Sequence, residues 1–577
     1  MILPELARGG GPPAKPVVEG PTSQTAVAPP PLHQPAAGPP PHASLREDAS
    51  PSPWWHSAVI YQIYPRSFAD SNGDGIGDLP GITARLDYLV ELGVDAVWIS
   101  PIYPSPMADF GYDVADYCGV DPRFGTLAYF DALLATAHAK GLKVLLDFVP
   151  NHSSDQHPWF IESRASRTNP KRDWYIWRDA APDGGPPNNW ISDFGGSAWE
   201  WDEATGQYYY HAFLKKQADL NWRNPDLAAA MYDVLRFWFE RGVDGFRIDV
   251  LWHMVKHANY PDNPPNPAYT PAMGEMHTVL QLHSTDQPEV HGIASEMRAI
   301  ADEYGDRVLI GEIYLPVPKL MDYYGRDRPG VHLPFNFQLI DAPWNARSLA
   351  TLITEYEAAL PPGGWPNWVL GNHDRPRAAA KFGETQARVA AMLLLTLRGT
   401  PTIYYGDEIG LSDVAIPADR VQDPRELREP GLGLGRDPVR TPMPWDATTN
   451  AGFSTAEPWL PLNPDWSTRN VAAQAEDTGS MLALYKQLLA LRRAHPALAI
   501  GDMTVLEAEG DVLAYERHAG DERITVVLNL GGSEQRFVLG GNYLPLLTTI
   551  RHPSEGWGDE ILLRPNEGLI LKAQPTA

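Results

Sequence analysis

Four acids, two histidines and an arginine stand where apolar runs of the chain end: Asp147 with Asn151 and His152 just behind it, Arg247 and Asp249, Glu312, and His373 with Asp374. Singly, such residues have structural uses, Asp and Asn as caps of the helices that follow strands. Together they suit one chemistry, cleavage of a glycosidic bond, which needs a protonated acid for the leaving oxygen and an ionised carboxylate facing an oxocarbenium-like centre. The aromatic content points the same way, because sugar C–H faces pack on rings: 10% of the residues are Phe, Trp or Tyr, with 19 Trp.

One architecture would bring these residues to a common mouth. From Trp54 onward, short apolar runs alternate with amphipathic stretches of helical length. Eight runs read as strands: Val59 to Ile63, Ala96 to Ser100, Lys143 to Val149, Gly245 to Val250, Arg307 to Ile313, Leu333 to Phe337, Trp368 to Asn372 and Thr400 to Tyr405. Helices are predicted over Leu127 to Lys140, Leu227 to Arg241, Val290 to Tyr304, Ala346 to Leu360 and Met481 to Ala494. Eight βα units predict a closed (β/α)8 TIM barrel over residues 51–150 and 221–500, with a doubly wound open sheet as the alternative. In a barrel the C-terminal strand ends form the site. Residues 151–220 are too many for a loop and are rich in Trp and Tyr, which predicts a small inserted domain after strand 3. Residues 501–577 show short alternating runs and predict a C-terminal antiparallel β-sandwich domain.

Composition narrows the partners. The 577 residues carry a formal charge of −26, which repels nucleic acid and anionic membrane surfaces and tolerates a neutral sugar. The single cysteine, Cys118, excludes an intrachain disulfide and a Cys-built zinc site; it suits a reducing compartment, so the expected location is cytoplasmic. Twelve of the 57 prolines fall in residues 1–50, which contain no Phe, Tyr or Trp; this segment reads as a disordered Pro-rich tail. No apolar run approaches the roughly 20 residues needed to span a bilayer.

The segments DFVPNH (147–152), GFRIDV (245–250), GEI (311–313) and GNHD (371–374) resemble, in order and spacing, the sequence regions of the α-amylase superfamily, glycoside hydrolase family 13. QADLN (217–221) and the opening WWHSAVIYQIYPRSF resemble its oligo-1,6-glucosidase and α-glucosidase branch. The resemblance implies a retaining mechanism with Asp249 as nucleophile, Glu312 as general acid/base and Asp374 as the acid that binds sugar hydroxyls. It implies that His152 and His373 contact the terminal glucose. It also implies that Tyr112 is the platform beneath that glucose and that Asp109 pairs with an arginine, mapped onto Arg440, to close the pocket. A closed pocket makes the enzyme exo-acting. Arg247, on the same side of the strand as Asp249, is expected to keep Asp249 ionised, while an apolar setting raises the pKa of Glu312. Val250 resembles the residue found after the nucleophile in 1,6-cleaving members, although the continuation Leu251-Trp252-His253 departs from theirs.

DSNGDGIGD (70–78) places oxygen ligands at alternate positions: Asp70, Asn72, Asp74, the Ile76 carbonyl and Asp78. This matches the first nine positions of a hard-cation loop, but the twelfth is Gly81, so an EF-hand is not expected. The resembling branch carries one Ca2+ or Mg2+ in this loop, which implies a structural ion; no organic cofactor is expected. The sequence thus leads to a retaining α-glucosidase acting on short oligosaccharides of maltose or isomaltose type. A glucosyltransferase or isomerase of the same branch is the alternative, and a non-enzymatic transporter-associated heavy chain a remote one.

Overall fold

Eight parallel strands close into a barrel in sequence order: β1 Ile60–Ile63, β2 Ala96–Ile99, β3 Lys143–Phe148, β4 Gly245–Ile248, β5 Val308–Ile313, β6 Leu333–Asn336, β7 Asn367–Val369 and β8 Thr400–Tyr404. The computed structural model describes residues 52–550 and 560–574; the expected tail, residues 1–50, lies outside them. Ile60 pairs with Ala96 on one side and Thr402 on the other, which closes the ring. The strands are buried on both faces, so they are near-continuous apolar runs rather than alternating ones.

Residues two apart on a strand face the same way. Ile60, Ala96, Leu145, Ile310 and Leu333 therefore pack together in the barrel interior. Two residues further along stand Gln62, Trp98, Asp147, Glu312 and Phe335, all buried. Gly245 admits no side chain, because a Cβ there would lie 2.3 Å from the Val308 carbonyl oxygen of the neighbouring strand. β4 and β7 end earlier than their apolar runs suggest: the chain leaves the sheet at Asp249 and at Leu370, and it is this departure that carries the polar residues off the ladder and into the mouth.

The outer helices have local causes. The helix Pro225–Arg241 starts where Asn224 accepts bonds from the Asp226 and Leu227 amides, has Pro225 in its first turn, and stops at Gly242 with φ 109°. Leu227, Met231, Val234, Leu235 and Trp238 recur on its buried face at helical spacing; burying each such side chain stabilises by about 1.5–3 kcal/mol. Met481–Ala494 follows β8 as expected.

After β3, His152–Ser154 pairs antiparallel with Gln217–Asp219, so the inserted segment leaves and re-enters the barrel at one place. Between these strands lies a three-stranded sheet of Trp177–Arg178, Gln207–Tyr210 and Trp199–Asp202, with Trp190, Trp199 and Tyr210 among its own core residues. At the C-terminal end, Asp502–Glu509, Val512–Ala519, Glu522–Asn529, Gly568–Ala573 and Tyr543–Thr548 form a five-stranded antiparallel sheet. A second sheet, Gln535–Val538 with Glu560–Leu563, shares a core with it through Val527, Ile561, Leu563 and Leu569, which makes the expected sandwich. No helix among the described residues is long and apolar enough to cross a membrane.

Candidate active site

Arg247 is the centre of the mouth. It points inward from β4 and is 1% exposed. One terminal nitrogen lies 2.8 Å from Asp147 Oδ1 and 2.7 Å from Asp249 Oδ1, and the other lies 2.6 Å from Glu312 Oε2. Asp147 is held further by the Trp98 indole at 3.2 Å and the Tyr112 hydroxyl at 3.0 Å. Arg247 meets Asp249 from the same side of the strand as expected, and its planar fork grips Asp147 and Glu312 as well. Burial raises the pKa of Asp147, Asp249 and Glu312 alike, with the guanidinium opposing it at each. One guanidinium faces three buried carboxyls, so their upward shifts are linked and belong to the cluster as a whole. At Glu312 the upward shift is in the direction that a general acid requires.

Val250, directly after Asp249, has φ 36° and ψ 47°, left-handed values that a β-branched residue seldom adopts. The strain, about 1–3 kcal/mol for such residues, turns its amide so that it donates to Glu312 Oε2 at 2.8 Å. The backbone next to one carboxyl thus positions the other.

His373 and Asp374 follow β7. The His373 ring stacks on Tyr112 at 5.3 Å with a 3° tilt, and its Nε2 lies 2.7 Å from the Tyr112 hydroxyl. Burial lowers the His373 pKa well below its ordinary value, so the ring is neutral. Asp374 is a quarter exposed to the mouth. Burial alone would raise its carboxyl, but the Arg440 and Arg436 guanidiniums beside it hold it below the ordinary carboxylate range.

The arginine that pairs with Asp109 is Arg436, and the assignment of Arg440 is corrected. Arg436 lies 2.6 Å from Asp109 Oδ1 and 2.7 Å from Asp423 Oδ1. Arg440 instead donates to the His373 carbonyl at 2.8 Å and to Asp374 Oδ1 at 2.7 Å. A short 3-10 turn, Asp437–Val439, separates the two arginines; the second meets the residues that follow β7 and the first meets Asp109 and Asp423, which spacing alone does not reveal. Burial would raise the Asp423 carboxyl, yet the Arg436 guanidinium holds it at about 2. Gln217 links the other side: its amide nitrogen lies 3.2 Å from Asp109 Oδ2 and 3.1 Å from His152 Nε2.

The family model for the α-amylase catalytic domain matches residues 62–501, most of the 577. The chain belongs to the α-amylase family. It is a glycoside hydrolase. It is 43% identical over 494 residues to a "probable alpha-glucosidase" of Rhizobium meliloti (strain 1021), covering 83% of this chain and 89% of that one. It is 42% identical over 562 residues to an oligo-1,6-glucosidase of Parageobacillus thermoglucosidasius, covering 90% and 99%. Among solved structures, the α-glucosyl transfer enzyme XgtA superposes with a TM-score of 0.85 at 39% identity, covering 91% of this chain and 100% of that one. The trehalulose synthase MutB of Pseudomonas mesoacidophila MX-45 superposes with a TM-score of 0.83 at 37% identity, covering 91% and 100%.

All the family-matched residues, Asp109, Tyr112, His152, Arg247, Asp249, Glu312, His373 and Asp374, thus belong to one connected polar cluster; Arg440 joins it by the different contact given above. Sequence reasoning missed Arg436, Gln217 and Asp423. Gln217 could have been found, since it opens the QADLN segment; Arg436 and Asp423 lie in a loop with no periodic pattern.

In the 70–78 loop, Asp70 Oδ1 accepts from the Asn72 and Gly73 amides and its Oδ2 from Gly75, while Asn72 and Asp74 accept from the amides two residues on. Asp78 caps the helix Leu79–Ala84 through the Gly81 amide. Among the described residues, no group of three or more His, Cys, Asp or Glu is gathered closely enough to hold a metal by those side chains alone. Any ion in this loop therefore draws on the Asn72 amide and the Ile76 carbonyl as well, an all-oxygen set that fits a hard cation.

Proposed function

We propose that this chain is an exo-acting, retaining α-glucosidase that releases glucose from the non-reducing end of short α-glucosides. The observation that carries this reading is the shared Arg247 fork: Asp249 and Glu312 grip the two nitrogens of one guanidinium at 2.7 and 2.6 Å. That supports the close carboxyl spacing of retaining enzymes, about 5–5.5 Å, over the wider spacing of about 6.5–9.5 Å that leaves room for a water. An Asp249 carboxylate oxygen attacks the anomeric carbon while Glu312 gives its proton to the departing glycosidic oxygen. The glycosyl ester is then opened by water, whose proton returns to Glu312. Asp374 binds sugar hydroxyls, and the neutral His152 and His373 donate hydrogen bonds as charge develops. Exo action is supported by the Asp109–Arg436–Asp423 bridge, which closes the far side of the pocket. The test is product chromatography on maltose, isomaltose, sucrose, trehalose and starch. Glucose from the short substrates with starch left almost intact is expected; internal cleavage of starch would refute the closed pocket.

A second reading, transfer of glucose to a sugar acceptor, is favoured by the likeness to named transfer enzymes. New disaccharide exceeding free glucose at high substrate would establish it. For linkage, Val250 supports cleavage of isomaltose. The Val250→Thr variant is expected to shift the isomaltose-to-maltose ratio of kcat/KM severalfold toward maltose, and an unmoved ratio would remove the rule.

The loop of Asp70, Asn72, Asp74, Ile76 and Asp78 is proposed to hold one Ca2+ or Mg2+ in a structural role. EDTA is expected to lower Tm by several degrees, with turnover of the remaining folded enzyme unaltered; unchanged melting would count against a bound ion. The one cysteine of the chain, a free thiol whose pKa burial raises to about 11, supports a cytoplasmic location for the enzyme.

A further inference from the structure

Behind His152 stands a buried lysine with no part in the chemistry above. Lys256 follows Asp249 in the chain and is fully enclosed. Its ammonium bonds the Asp219 carboxylate and, at 2.8 Å, Asn151 Oδ1. An ammonium only donates, so the end of the Asn151 amide that faces it is oxygen. The other end lies 2.9 Å from Asp219 Oδ2, a carboxylate oxygen that only accepts, so that end is nitrogen. Lys256 also bonds Asp219, so the two opposite charges hold each other in place and fix the amide between them.

The consequence reaches His152. Asn151 Nδ2 lies 3.1 Å from His152 Nδ1 and offers it a hydrogen. A ring nitrogen that accepts carries no proton, so the neutral ring holds its proton on Nε2, where the Tyr112 carbonyl accepts at 3.2 Å. The opposite tautomer has a sponsor too, because the Gln217 amide nitrogen stands 3.1 Å from the same Nε2 after bonding Asp109. Two amides thus compete for one imidazole. Burial lowers the His152 pKa to about 4, so the ring cannot escape the contest by taking a second proton.

We propose that Lys256 is a positioning residue which, through the Asn151 amide, sets the tautomer of His152 so that its proton sits on Nε2, is donated to the Tyr112 carbonyl and holds the ring in place beside the bound sugar. The inference rests on the reading of His152 as a residue that contacts the terminal glucose. It explains why a lysine is kept buried beside the mouth, an expensive position for a cation that touches no substrate.

The test is a double-mutant cycle with a spectroscopic readout. Lys256→Met is expected to lower kcat/KM on maltose by about 10–100-fold, the usual cost of removing a group that orients an active-site histidine. In a His152→Ala background the same substitution is expected to cost almost nothing more, because its route to the substrate is gone. Proton–nitrogen correlation spectra, with the His152 signals identified by their loss in His152→Ala, are expected to show the Nε2-protonated form in the wild type and a shift toward the Nδ1-protonated form in Lys256→Met. If Lys256→Met leaves Asp219 unpaired and fails to fold, the pair Lys256→Met with Asp219→Asn removes both charges and gives the same readouts. An equal loss in both backgrounds, or an unchanged tautomer, overturns the proposal. Absence of wild-type action on every α-glucoside would refute the glucosidase reading instead, and the tautomer spectra would still decide the role of Lys256.

Discussion

Asp249→Asn is expected to lower kcat by about 10⁴-fold or more, a loss of ~5.4 kcal/mol in transition-state stabilisation at roughly 1.36 kcal/mol per tenfold, and to leave the fold intact. The amide has nearly the shape of the carboxyl and can still meet the Arg247 fork through its oxygen, so packing is preserved while the nucleophile is lost. Removing a carboxyl whose ionised form burial opposes is expected to leave Tm unchanged or raise it. Glu312→Gln is expected to be as damaging on maltose but much less so on an aryl α-glucoside, whose phenolate departs without a proton. Asp249→Asn should be equally poor on both substrates. Steady-state kinetics on the two substrates, with circular dichroism to confirm folding, separates the roles. Near-normal turnover of either purified variant on maltose would end the assignment, and an equal loss for Glu312→Gln on both substrates would remove its role as the acid.

The largest expected effect on stability belongs to Arg247→Ala. Its guanidinium is the shared partner of Asp147, Asp249 and Glu312, and stripping the partner from a buried ion pair costs about 3–5 kcal/mol. The pH dependence follows from the direction of the shifts. All three carboxyls are already raised by burial, so the folded chain binds more protons than the unfolded one above their ordinary range of about 4. Stability from such groups is fully present below that range and is lost as pH climbs through the raised values. Without Arg247 those values rise further, and the loss extends to higher pH. The Tm deficit of Arg247→Ala relative to the wild type is therefore expected to be larger at pH 8 than at pH 5. A deficit that does not depend on pH would mean that the variant suffers only from a cavity.

Most of the barrel was legible because its causes are local. Eight buried runs appear as near-continuous apolar segments, and the helix Pro225–Arg241 announces itself by Asn224 and Pro225 at one end and Gly242 at the other. Strand ends were legible to within a few residues, and the errors have one cause. At Gly245–Ile248 and Asn367–Val369 the apolar run continues past the point where the chain turns out of the ladder, because the residues beyond remain buried in the mouth without being paired.

The sequence by itself determined the identities that chemistry demands: the acids, the histidines and Arg247, each at a strand end, with period two placing Asp147 and Leu145 on one side of β3. Tertiary structure decided what depends on side-chain reach and loop course. Only there does Arg436, not Arg440, meet Asp109; only there does one guanidinium prove to serve three carboxyls, and Val250 to take the left-handed conformation that brings its amide to Glu312. The physical reason is that periodic elements repeat and so leave a pattern along the chain, whereas a loop is positioned by contacts between residues far apart in it. Asp109 and Arg436 are 327 residues apart, and no local preference of either one selects the other.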